Sequence, residues 1–408
     1  MYSLFCGRCR LALSEDVYRT ACPTCGSALD FRYDGPFPTV PAAPAAALSM
    51  WRYQDCLPVC DGSKIISLGE GWTPLVRARL HPDCELFYKN ETMNPTGSVK
   101  DRALSVAITK AVEFGFDTAL LYSDGSAALS SAAYAARAGL RHITVVGHDA
   151  PDSRLLPLVT YGSLIVEYLG SRADALDWAH RASRELGIYE STTYRRANPY
   201  QAEGPRTIAW EIFEQVGGAP DWVVTPVGGG GTLAGIWRGF LELGAHKRAE
   251  RLPRMAGVLP EGYTMLAEAM ARGVADDDEL RALAPSSPLP TIQVKTSMSY
   301  APDGLEVIAA VRDSGGLFLA ASDHGVLEAQ RQLGSVEGIF AEPSAAAVLV
   351  GVDELIAREA ARRGERIVAV VTGSGFRELG QQAELVKVDR IPVQWDDELA
   401  RIRESLAL

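Results

Sequence analysis

The chain has 408 residues, of which 47% are hydrophobic, and its 40 Lys+Arg against 51 Asp+Glu give a net charge of −11. This length exceeds one small domain and predicts two packed lobes. The acidic balance argues against a nucleic-acid partner, and no apolar run is long enough to span a membrane. The opening MYSLFCGRCR lacks the apolar stretch of a signal peptide, which predicts a cytoplasmic protein with reduced thiols.

Residues 1–33 hold two C-x-x-C knuckles, Cys6 with Cys9 and Cys22 with Cys25. Each tight turn aims two thiolates at one point, which suits tetrahedral zinc. A unit this short has almost no core, so a structural zinc would supply its folding energy. Four cysteine ligands would leave the ion closed to catalysis. Pro36, Pro38, Pro41 and Pro44 then mark an extended linker, with a lead-in to the main body, over 34–66.

In the main body, apolar runs at 118–122, 142–147, 163–170, 222–227, 254–258 and 366–372 read as strands. Amphipathic stretches at 101–114 and 232–243 read as helices. This alternation predicts an α/β fold with buried parallel strands. Residues 386–408 read as an extended segment and a charged helix.

Within Asn94–Arg102 a Pro/Gly turn leads into a helix, with Ser98 placed as N-cap and Lys100 at the helix start. The positive end of a helix dipole lowers the pKa of an ammonium there, which suits a lysine that bonds a carbonyl. Taken alone, a lysine in a first turn is more often a solvated charge. Gly228, Gly229, Gly230, Gly231 and Thr232 follow one strand and open a helix. Glycines at such a place let backbone N–H groups turn toward a phosphate, although a plain connecting turn is the alternative. The same loop fits a loose dinucleotide fingerprint through Gly229, Gly231 and Ala234, with Glu250 downstream. That keeps a nicotinamide-dependent oxidoreductase open. Two more polar turns follow strands: Ser123, Asp124, Gly125, Ser126 and Ala127, and then Thr372–Gly375. The six histidines form no metal-binding spacing.

Together these pieces resemble the fold type II pyridoxal-phosphate enzymes, and the threonine-synthase-like branch most closely. The resemblance runs through Leu68–Leu75, Tyr88–Glu91 with Asn94–Arg102, Asn198–Tyr200 with Glu203, Gly204 and Thr207–Ala209, then Glu342–Ala346 and Thr372–Gly375. It implies a larger lobe of 67–99 and 196–385, a smaller lobe of 100–195, pyridoxal 5'-phosphate in the cleft between them, and a homodimer. Lys100 would bond the cofactor and then move protons on an amino-acid substrate. Gly228–Thr232 would hold the cofactor phosphate, Thr372 the pyridine nitrogen, and the turn Ser123–Ala127 the substrate carboxylate and one face of the ring. A hydroxyl at the pyridine nitrogen implies elimination or replacement chemistry. Its most specific form is conversion of O-phosphohomoserine to threonine and phosphate, with a paralogue acting on another anionic amino acid left open.

Some residues depart from that pattern. Ser126 stands where the family carries an Asn that meets the cofactor's ring oxygen, and a hydroxyl is shorter than an amide. Asp124 falls in a turn expected to receive a carboxylate, which it would repel unless paired. These two changes also leave open a member that has lost the chemistry. Arg195 and Arg196 stand where relatives tend to show small polar residues, and two guanidinium groups could clamp an anion. Solvated surface charges are the alternative. Thr296, Ser297 and Ser299 lie in a stretch that could also face the substrate.

Overall fold

A computed structural model of the chain describes residues 2–33, 48–148, 150–170, 172–284, 289–298 and 300–379. The predicted linker prolines, Ser299 and the tail 386–408 lie outside the described residues. The N-terminal unit is a small antiparallel sheet of β1 (Tyr2–Cys6), β2 (Ala12–Leu13) and β3 (Leu29–Tyr33), with β1 in the centre. The first strands of the body are β4 (Leu75–Arg77) and β5 (Glu85–Asn90). Next come α1 (Lys100–Glu113), β6 (Thr118–Tyr122), α2 (Ser126–Ala138), β7 (Arg141–Gly147), α3 (Asp152–Thr160), β8 (Leu164–Tyr168), α4 (Arg172–Leu186) and β9 (Tyr189–Glu190). The order continues with α5 (Arg206–Val216), β10 (Trp222–Pro226), α6 (Gly231–Ala245), β11 (Arg254–Pro260), α7 (Met265–Arg272), α8 (Asp277–Ala282) and α9 (Gly304–Asp313). It ends with β12 (Leu317–Ala321), α10 (Asp323–Ser335), α11 (Pro343–Ala357) and β13 (Arg366–Val371).

Two sheets result. The larger runs β12-β11-β10-β13-β5-β4, parallel except for β4, and the smaller runs β8-β7-β6-β9, parallel throughout. The central strands of the larger sheet lack polar alternation because helices cover both faces. Val223 of β10 and Val368 and Val370 of β13 pack with α5, α6 and α9 on one side. Val224, Ile367, Ala369 and Val371 pack with α10 and α11 on the other. In the smaller sheet the apolar face of α1, through Leu104, Ala107 and Ile108, meets Tyr134 and Ala135 of α2.

Helix α1 carries Lys100 at its first position, and a buried ionic network fixes it. Arg102 lies two residues further in, and its guanidinium donates to Glu91 at 2.7 Å and to Glu211 of α5 at 2.6 and 2.8 Å. Lys89 of β5 donates to Glu211 at 2.6 Å and to the Thr73 carbonyl at 2.7 Å. Burial alone would raise the Glu211 carboxyl, but Arg102 and Lys89 beside it hold it down at about 2. Thr73 and Asn94 complete the shell around Glu91, at 2.6 and 2.8 Å. Gly204 lies against the Arg102 carbonyl, where any side chain would overlap it. Many residues of the recognised motifs are thus the fastening of α1.

The N-terminal unit docks on the body. Tyr18 packs among Phe114, Phe116, Tyr189 and Tyr200, and Tyr33 donates to Glu203 at 2.8 Å. Part of the lead-in is core: Met50–Cys56 forms a 3-10 turn, and buried Trp51 donates to Glu70 at 2.6 Å.

Candidate active site

The strand ends and helix starts of both sheets meet at one place. Lys100 opens α1, and its amide donates to the Ser98 hydroxyl at 3.3 Å. The helix begins one residue later than a Ser98 cap would place it, since the cap position is Val99. Asp101 secures the turn instead, accepting from the Thr96 amide and hydroxyl at 2.7 and 2.6 Å. The Val99 amide donates to the Thr372 carbonyl at 2.9 Å, and Ser98 bridges Gly373. These contacts seat the lysine turn against the end of β13. Burial lowers the Lys100 pKa, opposed by the nearby Asp303 carboxylate. Its ammonium makes no ion pair among the described residues.

The glycine loop faces the same cleft. A methyl on Gly228 would lie 2.9 Å from the Lys295 carbonyl, one on Gly230 2.5 Å from Val307, and one on Gly231 2.8 Å from the Asp303 carboxylate. Gly230 also has φ +99°, which favours glycine. The loop ends on the 15-residue helix α6, whose first amides have no intrahelical acceptors. Backbone amides at a helix start, held where three of the four glycines admit no side chain, are what a phosphate cradle requires. A desolvated lysine without an ion-pair partner is what a carbonyl cofactor requires. The residues present therefore fit pyridoxal phosphate.

The turn Ser123–Ala127 completes the ring, and its charged neighbours come from distant segments. Asp124 pairs with Arg154 at 3.1 Å, which neutralises the repulsion expected of it. Ser126 accepts from Arg377 at 2.7 Å, and Arg377 also lies against Gly97 of the lysine turn. A Cβ on Gly125 would sit 3.2 Å from the Lys295 ammonium. Glu378 pairs with Lys295 at 2.6 Å and with Arg154 at 3.2 Å. Glu342 lies against Gly373, and burial raises its pKa despite Arg377 and Lys295 nearby.

Arg195 and Arg196 do not join this group, so the expected two-arginine clamp is corrected. Arg195 is buried and turned to the N-terminal unit, pairing with Asp30 and with Glu306, the latter at 2.6 Å. Arg196 is exposed and pairs with Asp277 at 2.8 Å. Adjacent residues in an irregular segment point apart, and each found its own acid. Thr296 bonds back to the Gln293 carbonyl at 3.1 Å, and half-buried Ser297 donates to the Val294 carbonyl at 3.4 Å.

Asp303 sits under the glycine loop, and burial, with Glu306 next, raises its pKa from 3.8 to about 7. Between those values the folded protein keeps a proton that the unfolded chain has released, so stability falls as pH rises through the window. Asp303→Asn is expected to reduce that fall in cofactor-free protein. The check is the thermal midpoint at about pH 5 and about pH 8, and an unchanged difference would contradict the assignment.

Two open α/β sheets carry a desolvated lysine at one helix start and a glycine loop at another, both near Asp303, an arrangement that suits an enzyme built around a phosphorylated carbonyl cofactor. The chain belongs to the pyridoxal-phosphate dependent enzyme family, whose model matches residues 66–373. It is 35% identical over 337 residues to a threonine synthase of Methanocaldococcus jannaschii, covering 81% of each chain. It is 29% identical over 414 residues to a threonine synthase of Methanosarcina acetivorans, covering 100% of this chain and 99% of that one. In structure it is similar to threonine deaminase isoform 2 of Solanum lycopersicum, with TM-score 0.64, 20% identity, and 77% and 83% of the two chains covered. Family membership makes this chain a pyridoxal-phosphate-dependent lyase. It overturns the dinucleotide alternative, and the geometry agrees. A ribose-binding acid belongs at the carboxyl end of the next strand, whereas Glu250 precedes β11.

Proposed function

We propose that this enzyme eliminates or replaces an anionic group on an amino-acid side chain, and in its most specific form converts O-phosphohomoserine to threonine and phosphate. The observation that carries this reading is the convergence of Lys295, Arg154 and Arg377 on the turn Ser123–Ala127, beside Lys100. Cations brought together by ion pairs with Glu378 and Asp124 can exchange those partners for a substrate anion. The threonine synthases among its relatives are in keeping with such a substrate.

Bound pyridoxal phosphate would supply a sink for the electrons released when a substrate C–H bond is broken. Lys100 would carry the proton, since desolvation favours its neutral, basic form. Gly228–Thr232 would hold the cofactor phosphate, and Thr372 would face the pyridine nitrogen. Ser126, already bonded to Arg377, would stand by the ring oxygen, and Ser123–Ala127 would receive the substrate carboxylate.

The four ribbon thiols suit a structural zinc. All four sulfur atoms lie within 4.8 Å of one another, with Cys6 and Cys25 at 3.4 Å and Cys9 and Cys22 at 3.6 Å. A tetrahedral ion with Zn–S bonds of about 2.3 Å needs sulfurs roughly 3.8 Å apart.

The test is phosphate release and threonine formation from O-phosphohomoserine by cofactor-loaded protein and by Lys295→Met. Turnover by the parent and a KM raised about tenfold or more in the variant are expected, for the loss of one charge-assisted contact. No turnover would sink the specific substrate, and an unchanged KM would remove Lys295 from its recognition. One zinc per chain is expected in the same preparation, and four titratable thiols without metal would reject the ribbon assignment.

A further inference from the structure

Asp30 of the ribbon is joined to the glycine loop through two residues. Its carboxylate lies in the first knuckle, 2.5 Å from where a Cβ on Gly7 would stand. From there it pairs with Arg195, which also donates to the Leu29 carbonyl at 2.8 Å. Arg195 then grips the start of α9 twice, its amide donating to Asp303 at 3.0 Å and its guanidinium to Glu306 at 2.6 Å. Asp303 in turn touches the loop along its length. Its amide donates to the Gly229 carbonyl at 2.9 Å, its carbonyl lies 3.2 Å from a Cβ on Gly230, and its carboxylate lies 2.8 Å from one on Gly231.

We infer that Asp30 and Arg195 are positioning residues for cofactor binding: the ribbon, through Arg195 and Asp303, holds the Gly228–Thr232 loop in its phosphate-binding shape. Arg195 is buried, so its charge has little water to fall back on, and losing Asp30 leaves it imperfectly paired. The guanidinium then shifts toward Glu306 and carries its own amide, and with it Asp303, out of register with the loop. The ribbon itself stays docked through Tyr18 and through Tyr33 on Glu203. A ribbon serving only as a cap would have no need of this connection, because those aromatic contacts already bury its face.

This inference rests on the reading that Gly228–Thr232 holds the cofactor phosphate, and the test separates the two. Full-length apoprotein is titrated with pyridoxal phosphate, and the dissociation constant is read from the cofactor's absorbance. Asp30→Asn and Arg195→Met are each expected to weaken binding about tenfold or more, an effect of the size of one charge-assisted hydrogen bond. Tyr33→Phe removes a ribbon hydrogen bond made to Glu203 and not to Arg195 or Asp303, and is expected to leave the constant unchanged. Gly229→Ala, whose methyl meets protein atoms no closer than 3.4 Å, is expected to fold and to bind cofactor poorly. If Gly229→Ala binds normally, the loop reading fails. If Gly229→Ala binds poorly while Asp30→Asn and Arg195→Met match the parent, or if Tyr33→Phe weakens binding as much as they do, the connection through Arg195 is overturned.

Discussion

Lys100→Ala is expected to lower turnover by at least about 10³-fold, within the range for losing a positioned proton-transfer group. The same change removes the covalent hold on the cofactor, so the visible absorbance band of the loaded protein should shift or vanish. The fold should survive. Alanine is the best helix former, and α1 stays fastened by Asp101 to Thr96 and by Arg102 to Glu91 and Glu211. The thermal midpoint of the cofactor-free variant should equal or exceed that of the parent, because an ammonium is no longer desolvated. Steady-state phosphate release, the absorbance spectrum and the melting curve check the three parts. A variant retaining more than about a tenth of the parent's rate would remove Lys100 from the chemistry.

Arg102→Met is expected to cost about 3–5 kcal/mol, the usual penalty for breaking a buried ion pair from one side. Against a typical total of about 5–15 kcal/mol, that is enough to leave much of the protein unfolded at moderate temperature. Arg102, Glu91, Glu211 and Lys89 balance one another with two charges of each sign, and their side chains are fully buried. Methionine fills much of the volume but leaves Glu91 with only the neutral donors Thr73 and Asn94. Arg102→Lys should rescue little, since one ammonium cannot reproduce the fork that reaches Glu91, Glu211 and Thr207 together. Urea unfolding measures both variants, and a loss below about 1 kcal/mol would show that the network is dispensable.

The sequence made the covered strands legible because a strand buried on both faces needs an unbroken apolar run. β6, β10 and β13 begin at the residues where those runs begin. β5 was not legible as a strand. It ends in Tyr88, Lys89 and Asn90, and a lysine at full burial makes sense only once Glu211 is seen beside it. β12 is as long as β6, but its run Leu317–Ala321 ends in two alanines, which suit a helix as well as a strand. The lysine turn and the glycine loop could be read because each is a contiguous motif. The cations at the substrate turn could not, because Arg154, Lys295 and Arg377 come from three segments joined only by folding. Arg195 misled for the complementary reason: its acid, Asp30, is 165 residues away, and spacing says nothing about which way a side chain turns.

The sheet order also dictates the sequence of events as the chain leaves the ribosome. All four strands of the smaller sheet lie between residues 118 and 190, so that unit can close early and locally. The larger sheet cannot: β5 must wait for β13, whose Arg366 pairs with Glu85 across nearly the whole body. Contacts between such distant segments form slowly. Thr372 lies just past that last strand and holds the lysine turn through the Val99 amide, so a nascent chain that has not reached it lacks that side of the cleft.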